Sequence, residues 1–495
     1  MKEIQEATED PLANYFDVIV VGAGISGINT AYYLQEYLPG TSYTILEGRS
    51  RIGGTWDLFR YPGIRSDSDM ASFSFSWNPW TREERLASGD QILAYMQKSA
   101  EVYGIDKKIQ FKHRVIAADW SSASRSWSLT VTNSQGETRI YYGKFIMLGT
   151  GYYDYEKPLE TVIPGLSNFS GPVIHPQFWP EHLDYAGKDV VVIGSGATAI
   201  TLVPSMAEKA KSVTMLQRSP TWIVSTPNVQ TEDTFIVKLV NRYLPSRASK
   251  WFKRFRSIFW GELFYQYCMI FPDKVRRLLQ DATIKQLPAN VNWDPHFNPR
   301  YGVWKQRICL CPEGDFYAAL RSGKASVVTD TIENVTSNEI QLASGKTIQP
   351  DIIVTATGLK LRFAGGIRLS IDGSEIDVAQ KFTWRGAMVQ DVPNLMFVVG
   401  YAQASWTIGA DVTGQLLVRL LSLLKRRGAR VAVPRLDNAD AMPRGNLFNL
   451  SSTYVQTANS IFPRAGTGCW NHKRSYLVDI LDAQFGSISK GLDIE

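Results

Sequence analysis

Cysteine and histidine are scarce in this 495-residue sequence, and their spacing argues against two kinds of site. No two cysteines form a CxxC pair, so neither a dithiol redox centre nor a zinc ribbon is expected. The five histidines show no metal-ligand spacing. Four cysteines without such a framework favour a reduced, cytoplasmic location.

Long apolar runs, a basic tail and a secretory leader are also missing. The longest apolar zone, Ile258 to Phe271, contains Glu262 and Gln266, so no stretch is predicted to span a membrane. The polar, acidic N-terminus lacks the features of a signal peptide. The net charge of +6 is mild. Without a Lys- or Arg-rich tail or a recognition helix, we expect no nucleic-acid partner.

Two segments of the chain read as the start of a nucleotide-binding fold. Phe16–Val21 is a predicted buried strand followed by a glycine loop, a helix and a second strand, Tyr43–Glu47. The same order recurs from the strand Asp189–Ile193 to the strand Ser212–Gln217. Between the two units, Arg125–Val131 and Thr138–Tyr142 are predicted to form a hairpin arm, followed by a separate strand, Lys144–Leu148. The length also exceeds what one core supports. We therefore predict an α/β protein with two Rossmann-like dinucleotide-binding domains and a helical insertion.

The first glycine loop has the spacing of a dinucleotide fingerprint in Gly22, Gly24 and Gly27. Such glycines allow a tight turn, a close approach of the backbone to a pyrophosphate, and close packing of helix on strand. Glu47 ends the next strand, where a carboxylate accepts a ribose hydroxyl and repels a 2′-phosphate. The loop therefore suits FAD or NAD, whereas a lone pattern of this kind would equally describe an ordinary glycine turn.

The second glycine loop carries Gly194, Gly196 and Ala199, but no acid follows its second strand. Arg218 and Ser219 stand there instead, and a guanidinium beside a hydroxyl suits a 2′-phosphate. The alternative is a surface arginine at a strand end. The two loops together predict electron flow from NADPH to FAD.

These expectations give the following domain organisation: 1–155, first part of the FAD-binding domain; 156–228, first part of the NADPH-binding domain; 229–298, helical insertion; 299–350, second part of the NADPH-binding domain; 351–495, second part of the FAD-binding domain and C-terminal tail.

Two longer motifs carry a family resemblance. Residues 169–180, FSGPVIHPQFWP, resemble the Baeyer–Villiger fingerprint FxGxxxHxxxWP, and residues 53–67 resemble its companion GGxWxxxxYPGxxxD. The chain is similar to type I Baeyer–Villiger monooxygenases, especially the ethionamide-activating branch. That resemblance implies FAD, NADPH and O2, and oxidation of linear or aryl ketones to esters or lactones through a C4a-peroxyflavin, with sulfoxidation as a side activity.

Other functions stay open at this point. A flavin-dependent S/N-oxygenase of the dimethylaniline monooxygenase type is the main alternative, although the Trp179-Pro180 ending of the fingerprint favours the Baeyer–Villiger group. The others are an electron-transferring pyridine nucleotide–flavin reductase and a nucleotide-binding sensor without turnover.

The resemblance also assigns site residues. Arg307 matches the active-site arginine, which would stabilise the oxygen anion during catalysis. Asp67 matches the aspartate that orients it, and its alternative role is to cap a helix in the turn 66–69. His175 matches a linker histidine that affects cofactor coupling. Gly54 and Trp56 are expected beside the flavin.

The stretch 229–288 is predicted to be helical, basic and aromatic. Its preferred interpretation is a lid with a solvated basic face. The alternative is a peripheral membrane contact, where apolar ketones dissolve. The expected partners are a small ketone or thioether and O2, and the oligomeric state stays open. The basic residues concerned are Arg242, Arg247, Lys250, Lys253, Arg254 and Arg256.

Overall fold

The computed structural model of the protein describes residues 14–229, 245–448, 455 and 457–495. The α-helices in this part of the chain are α1 Ile25–Tyr37, α2 Thr55–Leu58, α3 Met70–Phe73, α4 Gly89–Val102, α5 Ala197–Ala207, α6 Ser246–Ile270, α7 Pro272–Ile284, α8 Asp315–Arg321, α9 Trp406–Arg427 and α10 Tyr476–Phe485.

The strands are short and numerous. They are β1 Tyr15–Val21, β2 Tyr43–Glu47, β3 Ile109–Phe111, β4 Arg114–Ser121, β5 Ser126–Thr132, β6 Thr138–Leu148, β7 Val173–Ile174, β8 Asp189–Ile193, β9 Ser212–Gln217, β10 Ile223–Thr226, β11 Cys309–Pro312, β12 Ala325–Thr329, β13 Ile332–Val335, β14 Ile340–Leu342, β15 Thr347–Ile348, β16 Ile352–Thr355, β17 Arg368–Ile371, β18 Ser374–Glu375, β19 Thr383–Trp384, β20 Met388–Val389, β21 Leu395–Phe397, β22 Ala432–Pro434 and β23 Leu492–Ile494.

The first sheet is built around the predicted opening unit. Its main path runs β18-β17-β4-β5-β6-β1-β2-β3, and β21 joins it through β6. β1 lies parallel to β2 and β6, with Val18 opposite Tyr43 and Phe145. Apolar residues fill the centre of β1, and helices α1 and α9 pack on each other over this sheet. The predicted βαβ order is confirmed.

The second sheet is parallel throughout and has the order β12-β9-β8-β16-β7. β8 and β9 coincide with the two predicted strands, and Asp189 pairs with Ser212. The strand Ile352–Thr355 lies between β8 and β7 in this sheet. The second domain therefore extends past residue 350, where the sequence analysis placed its end.

The strand arm before the second domain differs from the sequence-based expectation. Two separate strands, Thr138–Tyr142 and Lys144–Leu148, are predicted there, but β6 runs through both without a break. Gly143 does not interrupt β6, since it pairs with Phe16 of β1. A Cβ on Gly143 would lie 2.9 Å from the Ile19 side chain, so only glycine fits there without a shift of that side chain. The glycine thus serves close packing and not a turn.

The insertion is helical, as predicted, through α6 and α7. Arg242 lies outside the described residues, as does the side chain of Arg247. Arg254 is 5% exposed and therefore does not belong to a solvated basic face. Much of the opposite side of α6 is exposed and apolar, which the solvated-lid interpretation does not account for.

One described helix, α9, has the length and hydropathy of a membrane span, although no span is expected from the sequence. Its most apolar window is 72% buried inside the protein. Leu416, Leu417 and Leu420 belong to the core that α1 and the first sheet share. The apolar character of α9 therefore comes from its central position in the first domain.

Candidate active site

The first glycine loop has the backbone that its sequence requires. Gly22 adopts φ +100°, and a Cβ there would lie 2.8 Å from the carbonyl oxygen of Gly149. A Cβ on Gly27 would lie 1.8 Å from the carbonyl oxygen of Gly22, so no side chain fits between helix and strand. Helix α1 begins after Gly24 with no side-chain cap and no acid in its first turn. Its first N–H groups can thus bind a phosphate.

Glu47 stands at the end of β2 beside this loop and is 7% exposed. Its carboxylate accepts the backbone N–H of Ala23 at 2.7 Å and that of Arg49 at 2.8 Å. Burial raises its pKa, and these two hydrogen bonds oppose the rise. The carboxylate lines a cavity of about 350 Å³ together with Gly22 and Gly24. This arrangement fits the adenosine and diphosphate part of FAD.

The second loop repeats this geometry with different charges. Gly194 has φ +133°, and a Cβ there would lie 2.2 Å from the carbonyl oxygen of Ala356. Around Gly196 no atom lies within 4 Å of an added Cβ, and Ala199 is fully buried where α5 meets the sheet. This loop also leaves the first turn of its helix without a side-chain cap.

Arg218 and Ser219 are both exposed just after β9. The Ser195 hydroxyl, within the second glycine loop, donates to the Ser219 carbonyl at 2.8 Å, which holds this segment beside the loop. A cation and a hydroxyl next to an uncapped helix start fit the 2′-phosphate side of NADPH.

A cavity of about 220 Å³ lies between the two loops. Gly24 and Gly54 line it from the first domain, and Ala197 and Thr198 line it from the start of α5. Arg307 also faces it, and its guanidinium lies 3.3 Å from the Asp67 carboxylate. The two side chains are each about one-third exposed (33% and 34%). The pair predicted from the motifs is thus brought together in the structure.

The structure separates Asp67 from the capping role left open in the sequence analysis. The N-cap of α3 is Asp69, whose carboxylate accepts the N–H of Ala71 at 2.8 Å. Asp69 also pairs with Arg85 at 2.9 Å. Asp67 points to Arg307 instead, and its carboxylate therefore lies at the cavity.

Aromatic side chains wall this cavity. Trp56 lines it as predicted and packs edge-on against Phe73 with ring centres 5.6 Å apart. Tyr152 stacks on Trp406 with ring centres 4.8 Å apart, and both rings line the same cavity. Tyr152 was not identified from the sequence, because it follows the strand β6 outside every motif. Its place beside Trp406 depends on where the chain enters α9, whose first residue is Trp406.

Burial keeps the polar atoms of the cavity wall neutral. Tyr61 is fully packed, and burial raises its pKa to about 12. Burial also raises the pKa of the Cys309 thiol to about 12, with a further contribution from the Asp67 charge. Neither group is therefore charged near pH 7, and the charged side chains that line the cavity are Arg307, Asp67 and Arg65.

His175 links two connecting segments and does not line the cavities near the loops. Its Nδ1 accepts the N–H of Gln177, so the neutral ring carries its proton on Nε2, which lies 3.3 Å from the Gly358 carbonyl. Burial lowers the pKa of His175 below its usual value. A neutral, hydrogen-bonded ring between two domain linkers fits the expected positioning role.

A second ion pair across the domains was missed from the sequence. Arg65, in the companion motif, pairs with Asp315 at the start of α8. Asp315 comes from the second domain, as does Arg307. The motif segment 53–67 therefore contacts the second domain at two charged points, and only one of them was predicted.

Comparison with known proteins finds relatives over nearly the whole chain. Residues 16–260 match the family described as Flavin-binding monooxygenase-like. Over 97% of its length the chain is 42% identical to the FAD-containing monooxygenase EthA of Mycolicibacterium smegmatis, covering 96% of that protein. The chain belongs to the FAD-containing, NADPH-dependent monooxygenases of the Baeyer–Villiger type. It is also 42% identical to the probable FAD-binding monooxygenase AlmA of Acinetobacter baylyi, over 94% of this chain and 93% of that protein.

Solved structures of two other monooxygenases share the fold. An oxidized steroid monooxygenase bound to NADP superposes with a TM-score of 0.75 at 20% identity, covering 97% of this chain and 99% of that one. An open structure of cyclohexanone monooxygenase gives 0.72 at 20% identity, covering 97% and 100%. The α/β fold with two Rossmann-like domains is thereby confirmed.

Proposed function

We propose that this Baeyer–Villiger monooxygenase uses FAD, NADPH and O2 to insert one oxygen atom beside the carbonyl of a linear or aryl ketone, giving an ester or lactone. Sulfoxidation of thioethers is the expected side activity. The observation that carries the proposal is the Arg307–Asp67 pair, held 3.3 Å apart in a cavity that both glycine loops border.

The cofactors supply the redox chemistry. When bound, FAD accepts a hydride from NADPH and activates O2. The first loop with Glu47 would hold FAD, and the second loop with Arg218 and Ser219 would hold NADPH. The residues of the chain orient these groups, exclude water and place charge.

Arg307 places a fixed positive charge in the cavity. Attack on a ketone requires a negatively charged oxygen, and negative charge then develops on the carbonyl oxygen. A preorganised cation beside both stabilises them without rearrangement during the reaction. Asp67 accepts a hydrogen bond from the guanidinium and so fixes its direction.

The aromatic wall contributes a dry, apolar space. Trp56, Tyr152 and Trp406 face the cavity with ring surfaces, which suit an apolar ketone. Because the Tyr61 hydroxyl stays protonated up to about pH 12, it adds no competing negative charge. Because such a wall excludes water, it also limits side reactions of activated oxygen with water.

Product analysis under labelled O2 tests this proposal. Purified protein with FAD and NADPH is incubated with a linear methyl ketone, and the product is examined by mass spectrometry. An ester carrying one labelled oxygen supports ketone oxidation. If NADPH is consumed, no ester forms and a thioether yields labelled sulfoxide, the protein is an S-oxygenase instead. If NADPH is not consumed although FAD is bound, the monooxygenase proposal fails.

A further inference from the structure

Helix α6 exposes an unusually apolar side. Large apolar side chains recur along it at spacings of three and four residues, and Trp251 is 63% and Ile270 65% exposed. We call these residues the α6 apolar face. They are Trp251, Phe255, Phe259, Trp260, Leu263, Phe264, Tyr267, Met269 and Ile270. Contiguous apolar surface of this extent marks a binding surface.

The protein holds this face outward. On the opposite side of α6, Arg254 donates to the carbonyl of Ser74 at 2.6 Å and to Asp411 on α9 at 2.8 Å. Ile258 and Cys268 are also buried on that side. Arg254 and Ile258 therefore anchor the helix to the first domain, and Cys268 packs against Trp222 and Val275 further along. The helix cannot turn its apolar face inward without breaking a buried ion pair.

Positive charge accompanies the apolar face. Besides the buried Arg254, the sequence from Ser246 to Ile270 has four basic residues and a single acid, Glu262. Lys253 precedes Trp260 by seven residues and Arg256 precedes Leu263 by seven, and two turns of helix place such pairs on one side. Exposed aromatic rings with neighbouring cations are the features of a helix that lies in the interface of an anionic membrane.

An outer cavity lies beside this surface. Its volume is about 400 Å³, and Tyr265, Gln266 and Met269 of α6 line it. A smaller cavity shares the lining residue Phe448 with it and is also lined by Arg307. The outer cavity and the cavity at Arg307 are therefore neighbours on the side of the protein that carries the α6 apolar face.

We propose that the α6 apolar face docks onto an anionic lipid bilayer, with the ring side chains in the headgroup region and the cations against acidic lipids. A second copy of the chain fits less well, because a twofold partner would bring the same basic surface against itself. The docked position would place the outer cavity at the membrane, from which an apolar substrate enters. Docking itself does not depend on the proposed reaction.

Sedimentation with vesicles tests the proposal on the full-length protein. Vesicles of phosphatidylcholine alone are compared with vesicles that also contain phosphatidylglycerol. We expect the protein to pellet with the anionic vesicles, and to do so less at high salt because surface charge attraction is screened. Failure to pellet with anionic vesicles at low salt would overturn the proposal.

Two variants separate the apolar and the electrostatic parts. Trp251→Ser/Phe255→Ser/Leu263→Ser should weaken binding on the order of a hundredfold or more, since three large side chains lose burial in lipid. Val162→Ser is its control, because Val162 is 94% exposed in another part of the protein. Lys253→Glu/Arg256→Glu should weaken binding to anionic vesicles by roughly tenfold or more, and Lys209→Glu/Lys324→Glu is its matched control.

Bound FAD absorbance and the melting temperature check that each variant folds. If the triple variant binds vesicles as well as the unchanged protein, the apolar face is not the contact and the proposal fails. If the unchanged protein is a dimer, the triple variant is a monomer, and neither protein binds vesicles, the α6 apolar face is an interface between two copies of the chain. If the triple variant does not fold, the charge variant Lys253→Glu/Arg256→Glu still tests the proposal. Weaker vesicle binding than that of Lys209→Glu/Lys324→Glu supports docking through α6, and equal binding contradicts it.

Discussion

Arg307 and Asp67 are 240 residues apart in the chain, and the guanidinium of one lies 3.3 Å from the carboxylate of the other. Replacement by Arg307→Ala should leave FAD binding and reduction by NADPH intact while lowering ester formation by about 10²–10³-fold, the usual cost of losing one preorganised donor to an oxyanion. Ester yield and hydrogen peroxide are measured per NADPH consumed. Arg300→Ala, an exposed neighbour, is the control, and normal ester yield from Arg307→Ala would refute the role.

Asp67 and Asp69 form a matched pair for a second prediction. Asp67→Asn should lower the ester yield per NADPH, because the guanidinium of Arg307 loses its charged partner. Asp69→Ala should instead lower the melting temperature, since it removes the cap of α3, a change worth about 0.5–2 kcal/mol, and the pair with Arg85. Product yield and thermal unfolding are measured for both. The assignment is wrong if the two variants show the same pattern.

Local patterns made the opening unit of each domain predictable. β2, β8 and β9 coincide with the predicted strands, because their apolar runs are bounded by glycine loops and turns. The three glycines at the first loop and the acid Glu47 also fall where a βαβ unit needs them. Such features depend on neighbours within about twenty residues of sequence.

Tertiary contacts decided what the sequence left open. Asp67 and Asp69 are equally good cap candidates by residue type, and only the start of α3 after Asp69 and the position of Arg307 distinguish them. In the sequence, Arg254 belongs to a group of basic residues that are expected at the surface. In the structure it is buried and pairs with the carboxylate of Asp411 on α9. Tyr152 lies outside every sequence motif, and its place in the cavity wall depends on stacking with Trp406.

Cofactor choice gives a third prediction. Arg218→Ala should raise KM for NADPH by roughly tenfold to a hundredfold, since a hydrogen bond to a charged group contributes about 1.5–3 kcal/mol. KM for NADH, which lacks the 2′-phosphate, should barely change. Initial rates of NADPH and NADH oxidation measure both values, and Lys188→Ala, another exposed cation near this domain, is the control. Equal effects on both nucleotides would show that Arg218 does not recognise the phosphate.

The buried pair of Arg254 and Asp411 gives a fourth prediction, on stability. Both side chains are nearly inaccessible, at 6% and 1% exposure. Arg254→Met should cost about 3–5 kcal/mol, because it leaves the Asp411 carboxylate buried without its cation. The double variant Arg254→Met/Asp411→Leu should cost less than the sum of the single changes. Urea unfolding measures these values.

The control for this pair is Lys98→Met. Lys98 and Glu101 form an exposed pair at 2.9 Å, and such pairs contribute about 0–1 kcal/mol. Additive losses in the double variant, or a loss in Arg254→Met no larger than in Lys98→Met, would contradict the prediction.

Lys473 gives a prediction on pH. Its ammonium donates to the carbonyls of Val399 and Gly409 and to the Thr413 hydroxyl, at 2.6, 3.0 and 2.7 Å. Burial lowers its pKa from 10.5 to about 7, and Asp479 opposes this shift. Between pH 7 and 10.5 the unfolded chain then binds more protons at this lysine than the folded protein does.

The free energy of unfolding therefore rises with pH between pH 7 and 10.5, by up to about 1.4 kcal/mol per pH unit from this lysine. This gain in stability is lost again as the pH falls toward 7. Lys473→Met removes the titrating amine and leaves three acceptors without their donor. The loss of stability in Lys473→Met should consequently be larger at pH 9 than at pH 6.5. Urea unfolding of both proteins at the two pH values measures the difference, and a loss that is equal at both would show that the buried amine does not change its protonation there.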